Sequence, residues 1–388
     1  MSRAPFSFYE FFAGGGMARL GLGDGWACAF ANDFDGVKAA TYRANFPEAS
    51  GAAAEHFHEG DVWKLTAGDL PGHADLAWAS SPCQDFSLAG ARAGLAGGRS
   101  SAFFGFWRLI EGLAAEARAP RVIVIENVNG LLNSHGGRDF AALCEALAAQ
   151  GYSFGALEID AAGFLPQSRP RVFVIATREP PNAELVGESP FHTRAVKAAH
   201  AALPPALAAR WIWWRSAAPA PRNTDLAALL EPDAAVAWHS PERTVRWLDL
   251  LAPLHRARLE TIQRRGGRAV GAAYRRMRLE SGCKVQRAEV RFDGLAGCLR
   301  TPRGGSSRQV IVVAEAGTLR TRLLTAREAA RLMGLPDSYQ LPKGAISALH
   351  VAGDGVAVPV VRWLAQEILE PLLSAATRPA ARVALGRR

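Results

Sequence analysis

The stretch Asp75-Leu76-Ala77-Trp78-Ala79-Ser80-Ser81-Pro82-Cys83-Gln84 decides the reading of this chain. Its first half is a short apolar run behind a proline-containing turn, the pattern of a buried strand. Its second half puts a cysteine between a proline and a glutamine, just past that strand's carboxyl end. Open α/β sheets hold their ligands at that edge. Two later segments extend the pattern. The apolar run 122–125 ends in Glu126-Asn127-Val128, and Gln167-Ser168-Arg169-Pro170-Arg171 leads into a further apolar run, 172–176.

Around these segments, the chain as far as Glu179 alternates short apolar runs with longer amphipathic ones, the β-α-β rhythm of a parallel sheet. Strands are predicted over 7–12, 26–31, 74–79, 122–125, 154–159 and 172–176, and helices over 35–45 and 139–150. From Glu179 the texture changes. Pro180-Pro181 opens a stretch rich in Pro, Ala, Arg and Trp, without β-α repeat, that reaches about Leu323. Thr325-Ala326-Arg327-Glu328 is then a capping box that starts a helix ending near Gly334-Leu335-Pro336. An apolar helix over 356–372 is expected to pack back onto the first sheet. The predicted division is a main unit over 1–183, a second over 184–323, a return to the first over 324–374, and a loose basic tail over 375–388. The fold class is α/β, a Rossmann-like sheet with a second, smaller, irregular domain.

A chain of 388 residues exceeds one compact core and fits two domains. The net charge of +9 favours a polyanionic partner. Much of it lies between His255 and Gln309, where Arg264, Arg265, Arg275, Arg276, Lys284, Arg287, Arg291, Arg300, Arg303 and Arg308 face only Glu260, Glu280, Glu289 and Asp293. A solvated basic face has the same composition; phosphate binding explains the clustering better. The five cysteines, Cys28, Cys83, Cys144, Cys283 and Cys298, are odd in number and show no C-x-x-C spacing. That argues against a disulfide framework and structural zinc, and it fits a reducing cytoplasm. No secretory leader is read at the amino terminus, and no apolar run is expected to approach the length of a membrane span.

Phe11-Phe12-Ala13-Gly14-Gly15-Gly16-Met17 follows the first strand and opens a helix, so its backbone can turn sharply and approach a ligand closely. It is not the dinucleotide fingerprint, whose third glycine falls here on Arg19. That disfavours a pyrophosphate guest and a nicotinamide-dependent oxidoreductase. Asp33 ends the second strand, where an acid accepts hydrogen bonds from ribose hydroxyls. Asp61 follows a third candidate strand, within reach of an adenine amino group. Each acid alone reads equally as a loop residue or helix cap. In register with the glycine loop, they outline an adenosyl pocket.

Cys83 has an ordinary alternative, since free cysteines are mostly buried and inert. It lies in a turn, however, and as a nucleophile it needs its thiol, ordinarily near pKa ~8.5, lowered by arginines or a helix amino terminus. Glu126 directly follows four β-branched residues; buried at the sheet edge, it could hold a proton for a ring nitrogen. Arg169 and Arg171 alternate around Pro170 and in an extended segment point the same way. Such a pair suits a carboxylate or phosphate, or an ion pair at the rim. Trp211, Trp213 and Trp214 read as domain packing rather than base stacking. Arg303 and Arg308 flank Gly304-Gly305-Ser306-Ser307, a loop suited to a DNA groove or backbone, or simply a turn.

Taken in order, the segments 12–16, Asp33, Asp61, Pro82-Cys83-Gln84, Glu126-Asn127-Val128 and Gln167-Ser168-Arg169-Pro170-Arg171 resemble the DNA (cytosine-5)-methyltransferases of bacterial restriction-modification systems. The segments 324–328, 333–337 and Gly353-Asp354-Gly355-Val356 are similar to that family's last two motifs. The resemblance implies an S-adenosylmethionine-dependent methyltransferase sheet, with the target-recognition region over 184–323. It implies that Cys83 attacks carbon 6 of a flipped cytosine in double-stranded DNA, that Glu126 contacts the ring nitrogen and exocyclic amine, and that Arg171 binds the carbonyl with Arg169 in support. It implies a cofactor site of Phe12, Ala13, Gly14, Gly15, Gly16, Asp33, Phe34, Asp61, Val62, Pro82 and Asp354, with S-adenosylhomocysteine as product and no metal. Gln84 and Ser87 would close over DNA, and Arg303 and Arg308 would contact it.

The expected setting is a monomer in the bacterial cytoplasm, away from membranes, serving as the modification component beside a separately acting restriction endonuclease. Two positions depart from the family's pattern: Asp354 replaces a common asparagine, and Asp33-Phe34 replaces a glutamate and its bulky neighbour. The competing readings are a tRNA cytosine-5 methyltransferase, disfavoured by the missing Cys-Phe-Thr element, and a catalytically silent DNA-binding protein, disfavoured by the presence of Cys83 and Glu126.

Overall fold

The computed structural model describes residues 6–47, 56–81, 102–280, 282–300 and 308–375. Seven strands, β1 (Phe6–Phe11), β2 (Trp26–Asp33), β3 (Phe57–Glu59), β4 (Leu76–Ala79), β5 (Val122–Val128), β6 (Ser153–Asp160) and β7 (Pro170–Thr177), form one sheet in the order β3-β2-β1-β4-β5-β7-β6. The chain winds outward from β1 to β3 and then returns to β4 on the other side. The crevice of such a sheet opens at the carboxyl ends of β1 and β4.

β1 to β5 run parallel to one another, but β7 runs antiparallel to both β5 and β6. The expectation of a parallel sheet is corrected on this point. Only 161–169 separates β6 from β7, and a parallel return needs a longer crossover. The reversal matters for the site. It carries the beginning of β7 to the edge where β1 to β5 end, with Arg171 paired opposite Val128.

Alternate strand residues fill two cores, as the two-residue period of a strand requires. On one face Phe8, Trp78, Val124 and Ile175 pack with α1 (Met17–Leu22) and the carboxyl-terminal helices. On the other, Tyr9, Ala77, Ile123 and Val174 pack with two further helices. Following α2 (Gly36–Asn45), these are α3 (Ala102–Ala115) and α4 (Arg138–Ala149). The sequence reading omits α3, although its Phe103, Phe106, Trp107, Ile110 and Leu113 recur at helical spacing and are buried.

The region after β7 is more regular than expected. Beyond α5 (Arg194–Ala201), α6 (Pro241–Leu248) and α7 (Pro253–Arg265) come β8 (Ala269–Glu280), β9 (Cys283–Arg291), β10 (Val310–Glu315) and β11 (Thr318–Leu323). These strands form an antiparallel sheet in the order β11-β10-β8-β9. Trp247, Leu251 and Leu259 cover one face over Ala273, Val290, Val310 and Val312. The tryptophans behave as packing residues: Trp214 is fully buried and its Nε1 donates to the Ile175 carbonyl at 3.2 Å.

The capping box is present at the start of α8 (Ala326–Arg331), and its Glu328 also forms a buried ion pair with Arg322 at 2.6 Å. The described residues end in α9 (Ala345–Asp354) and α10 (Val358–Leu364), the latter continued by a π turn and Glu370–Ala375, and the tail predicted to be loose lies outside them beyond Ala375. The stretch Ala345–Ser374 is long and apolar enough, by length and composition, to cross a membrane, which corrects the expectation that no run approaches that length. Its Val360, Val361, Leu364, Ile368, Leu369 and Leu372 instead fill the core beside α1.

Candidate active site

The cofactor end begins with backbone geometry. Phe12 leaves β1 at a φ of 56°, a conformation rare for a bulky side chain and usually found where function demands it. Gly14 (φ 57°) and Gly16 (φ 80°) then complete the turn into α1. A Cβ on Gly15 would lie 2.3 Å from the Tyr339 hydroxyl, which donates to the Gly15 carbonyl at 2.6 Å. The loop is thus fixed from below by the returning carboxyl-terminal segment. Around Gly14 there is open space instead: a Cβ there would meet nothing within 4 Å among the described residues.

Asp33 ends β2 and accepts the Gly14 amide at 2.8 Å and the Asp35 amide at 3.0 Å. Burial raises its pKa, against the pull of Lys38 and those two amides. Phe34 follows with its ring 72% exposed, an apolar surface beside a buried acid. Asp61 is exposed, and its carboxylate accepts the Trp63 amide at 3.0 Å, capping the turn that buries Val62. Asp354 ends α9 and pairs with Lys38 at 2.8 Å. Burial would lower the Lys38 pKa, but Asp354 and Asp33 outweigh it and raise it.

A second group of candidate residues lies further along the same edge, at the ends of β4 and β5. Glu126 belongs to the last turn of the pleat in β5, is 6% exposed, and lies 3.2 Å from Arg171 Nε. Asn127 beside it donates its amide to the Ser81 carbonyl at 3.0 Å and contacts the Ser81 hydroxyl at 3.3 Å. Ser81 is the last described residue before Pro82-Cys83-Gln84, so β5 holds the residue that precedes that segment. Pro82, Cys83, Gln84 and Ser87 themselves lie outside the described residues, as does Arg303.

Arg169 and Arg171 do not share one target. Arg171 belongs to β7 and meets Glu126, whereas Arg169 precedes the strand and turns into the protein. Arg169 donates to the carbonyls of Leu299 (3.0 Å), Gly353 (2.8 Å) and Gly355 (2.7 Å). Burial and the neighbouring Arg171 charge bring its pKa down to about 10, which leaves it cationic at neutral pH. Gln167 works alongside it, donating to the Leu332 carbonyl at 2.6 Å and accepting the Leu299 amide at 3.0 Å. Together the two side chains tie the small-sheet region and the carboxyl-terminal helices to the catalytic edge. Arg308 donates to the Leu324 carbonyl at 3.1 Å, at the foot of β10.

The model of the C-5 cytosine-specific DNA methylase family matches residues 6–370. The chain belongs to that family. Its members use S-adenosylmethionine. Among relatives of this C-5 cytosine methylase, the type II methyltransferase M.DsaV of Dactylococcopsis salina is 27% identical over 95% of this chain and 87% of its own. The type II methyltransferase M.HhaI of Haemophilus parahaemolyticus is 26% identical over 93% of each. Among solved structures, the S. pombe Dnmt2 methyltransferase shares the fold, with a TM-score of 0.59 at 18% identity, over 95% of this chain and 99% of that one.

The sequence reading of this methylase gives no role to Asn127, although it lies within the Glu126-Asn127-Val128 segment. Its signal is a buried amide after a run of apolar strand residues, which must find partners. Gln167 carries the same signal, being fully buried.

Proposed function

We propose that the protein transfers a methyl group to carbon 5 of a cytosine extruded from duplex DNA, through a covalent adduct with Cys83. The observation carrying this reading is the convergence, at one sheet edge, of the Gly14–Asp33 contact, the Glu126–Arg171 pair and the Asn127–Ser81 anchor. The open space at Gly14, the Asp33 carboxylate and the exposed Phe34 ring suit an adenosine; Phe12, Ala13, Gly15, Gly16, Asp61, Val62, Pro82 and Asp354 would complete its surroundings. When bound there, S-adenosylmethionine supplies the methyl group and departs as S-adenosylhomocysteine.

The chain's own groups have distinct tasks. The Cys83 thiolate adds to carbon 6, which makes carbon 5 nucleophilic and divides one hard step into easier ones. Glu126, shielded from water, holds a proton at the ring nitrogen as charge develops, and Arg171 fixes both Glu126 and the base carbonyl. Arg169 acts at a distance by holding the Gly353–Gly355 turn. After transfer, a base removes the carbon-5 proton and Cys83 is eliminated. Extrusion of the base costs roughly a few kcal/mol, which contacts to phosphates can offset. Gln84 and Ser87 are assigned to the segment closing over DNA, and Arg303 and Arg308 to its backbone.

The type II methyltransferases among the relatives support a role as the modification component of a restriction-modification system, with a separate endonuclease. The bacterial cytoplasm fits the cysteine usage, and a monomer is what the family resemblance implies. The direct test incubates the purified protein with radiolabelled S-adenosylmethionine and either duplex DNA or tRNA. Label in DNA supports the reading; label confined to tRNA replaces it with the RNA-directed alternative.

A further inference from the structure

Arginines of the small sheet are mostly neutralised. Arg276 and Arg278 share Glu289, Arg287 holds Glu280, Arg291 holds Asp293, and Arg268 and Arg320 share Asp233. One group is not. Arg243, Arg246, Arg275 and Arg308 line a cavity of about 520 Å³ between α6 and the small sheet, together with His239 and Trp247. Among the described residues none of these four guanidiniums lies in an ion pair. Glu242, one turn before Arg246, hydrogen-bonds with Ser240 and feels the Arg246 charge only at longer range.

A second, independent observation marks the same cavity. Among the described residues, His239 Nε2, Trp247 Nε1 and Arg308 Nε are buried without a hydrogen-bond partner. A buried donor without a partner keeps the full cost of its lost hydration, so native structures rarely gather several of them. The indole and guanidinium nitrogens are obligate donors. His239 Nδ1 lies 2.9 Å from the Thr321 hydroxyl; with that hydroxyl donating, Nε2 carries the hydrogen and is a donor too.

We propose that this cavity seats a backbone phosphate of the DNA substrate, held by Arg243, Arg275 and Arg308 with His239 and Trp247 as neutral donors. A phosphodiester supplies the missing acceptors and the missing negative charge at once. The guanine edge also offers two acceptors, but it is uncharged and leaves four guanidiniums unneutralised. Burial and the facing arginines lower the pKa values of both His239 and Arg308, and a seated anion would relieve that repulsion. The assignment rests on the DNA-methylase reading above and adds a fixed anchor for the recognition region that reads no sequence itself.

The test is equilibrium binding of the full chain, with S-adenosylhomocysteine present, to duplexes with and without the methylated sequence across a salt series. Arg243→Gln and Arg275→Gln probe the cavity, and Lys343→Gln in the exposed turn before α9 removes an equal charge elsewhere; unchanged circular dichroism establishes that each is folded. The cavity variants are expected to weaken binding to both duplexes by about the same factor, roughly tenfold. They should also lower the slope of log K against log salt by about 0.9, while Lys343→Gln keeps the wild-type slope. Loss confined to the cognate duplex would make the cavity a base reader and overturn the proposal. So would cavity variants that bind like Lys343→Gln while the wild type methylates DNA. A wild type that methylates no DNA would overturn the functional reading, and the phosphate seat with it.

Discussion

Glu126 on β5 and Arg171 on β7 are 3.2 Å apart, brought together because β7 runs against its neighbours. In the proposed mechanism Glu126 manages a proton, and this cation orients it. Glu126→Gln keeps the shape but removes the proton chemistry, and methyl transfer should fall about 10²–10⁴-fold. Arg171→Lys retains charge without the planar fork and should cost less. Titration calorimetry with S-adenosylhomocysteine should find both variants unchanged; a parallel loss of cofactor affinity would contradict this division of labour.

Asn127 anchors the Ser81 carbonyl at 3.0 Å, two residues before Cys83. Asn127→Asp replaces the donating amide with a carboxylate that repels that carbonyl. A misplacement of about 1 Å near a reacting group can cost ~10²-fold in rate. Steady-state kinetics should therefore show kcat reduced with KM for DNA little altered. An unchanged kcat would remove Asn127 from the positioning of the nucleophile.

Asp33 links the glycine loop to the proposed ribose site through its contact with the Gly14 amide. Asp33→Ala should weaken S-adenosylhomocysteine binding by roughly 10–100-fold, the equivalent of one charge-assisted hydrogen bond. Burial holds its carboxyl above the usual range, and the charged form is the one that accepts. Affinity should thus fall on acidification sooner than an ordinary aspartate would allow. Calorimetry with S-adenosylhomocysteine across a pH series measures both effects, and an Asp33→Ala variant that binds like the wild type would exclude the assignment.

Glu10 is buried on β1 beneath the glycine loop, where burial raises its carboxyl to about 8 despite the neighbouring Arg19. The folded protein keeps a proton that the unfolded chain releases, so stability falls as pH rises from about 5 to 8 and is level above that. Glu10→Gln mimics the protonated form. Its melting temperature should match the wild type near pH 5 and exceed it above pH 8, by up to a few kcal/mol in stability. Parallel melting curves for the two proteins across that range would show that Glu10 is ionised in the fold.

Local features were legible in the sequence: the strand cores, the Thr325–Glu328 box, and the order of the segments ending in Cys83, Glu126 and Arg171. Pairing direction was not, because a strand's alternation is the same whichever way it runs; β7 was therefore read as parallel. The small sheet escaped notice because β8 carries Arg275, Arg276 and Arg278, and its exposed half shows no apolar alternation. Arg169 and Arg171 looked alike around Pro170, yet β7 begins at that proline, and only Arg171 obeys the strand's alternation. The partners of Arg169, Gly353 and Gly355, lie 184 and 186 residues away in the chain, beyond the reach of any local pattern.

The most direct test of the central claim is bisulfite sequencing of plasmid DNA from a methylation-deficient host that expresses the protein, beside a Cys83→Ser control. The account predicts cytosine methylation at one short recurrent sequence in the first sample and none in the second. Unmodified DNA from soluble protein that binds S-adenosylhomocysteine, or methylation that survives Cys83→Ser, would contradict it.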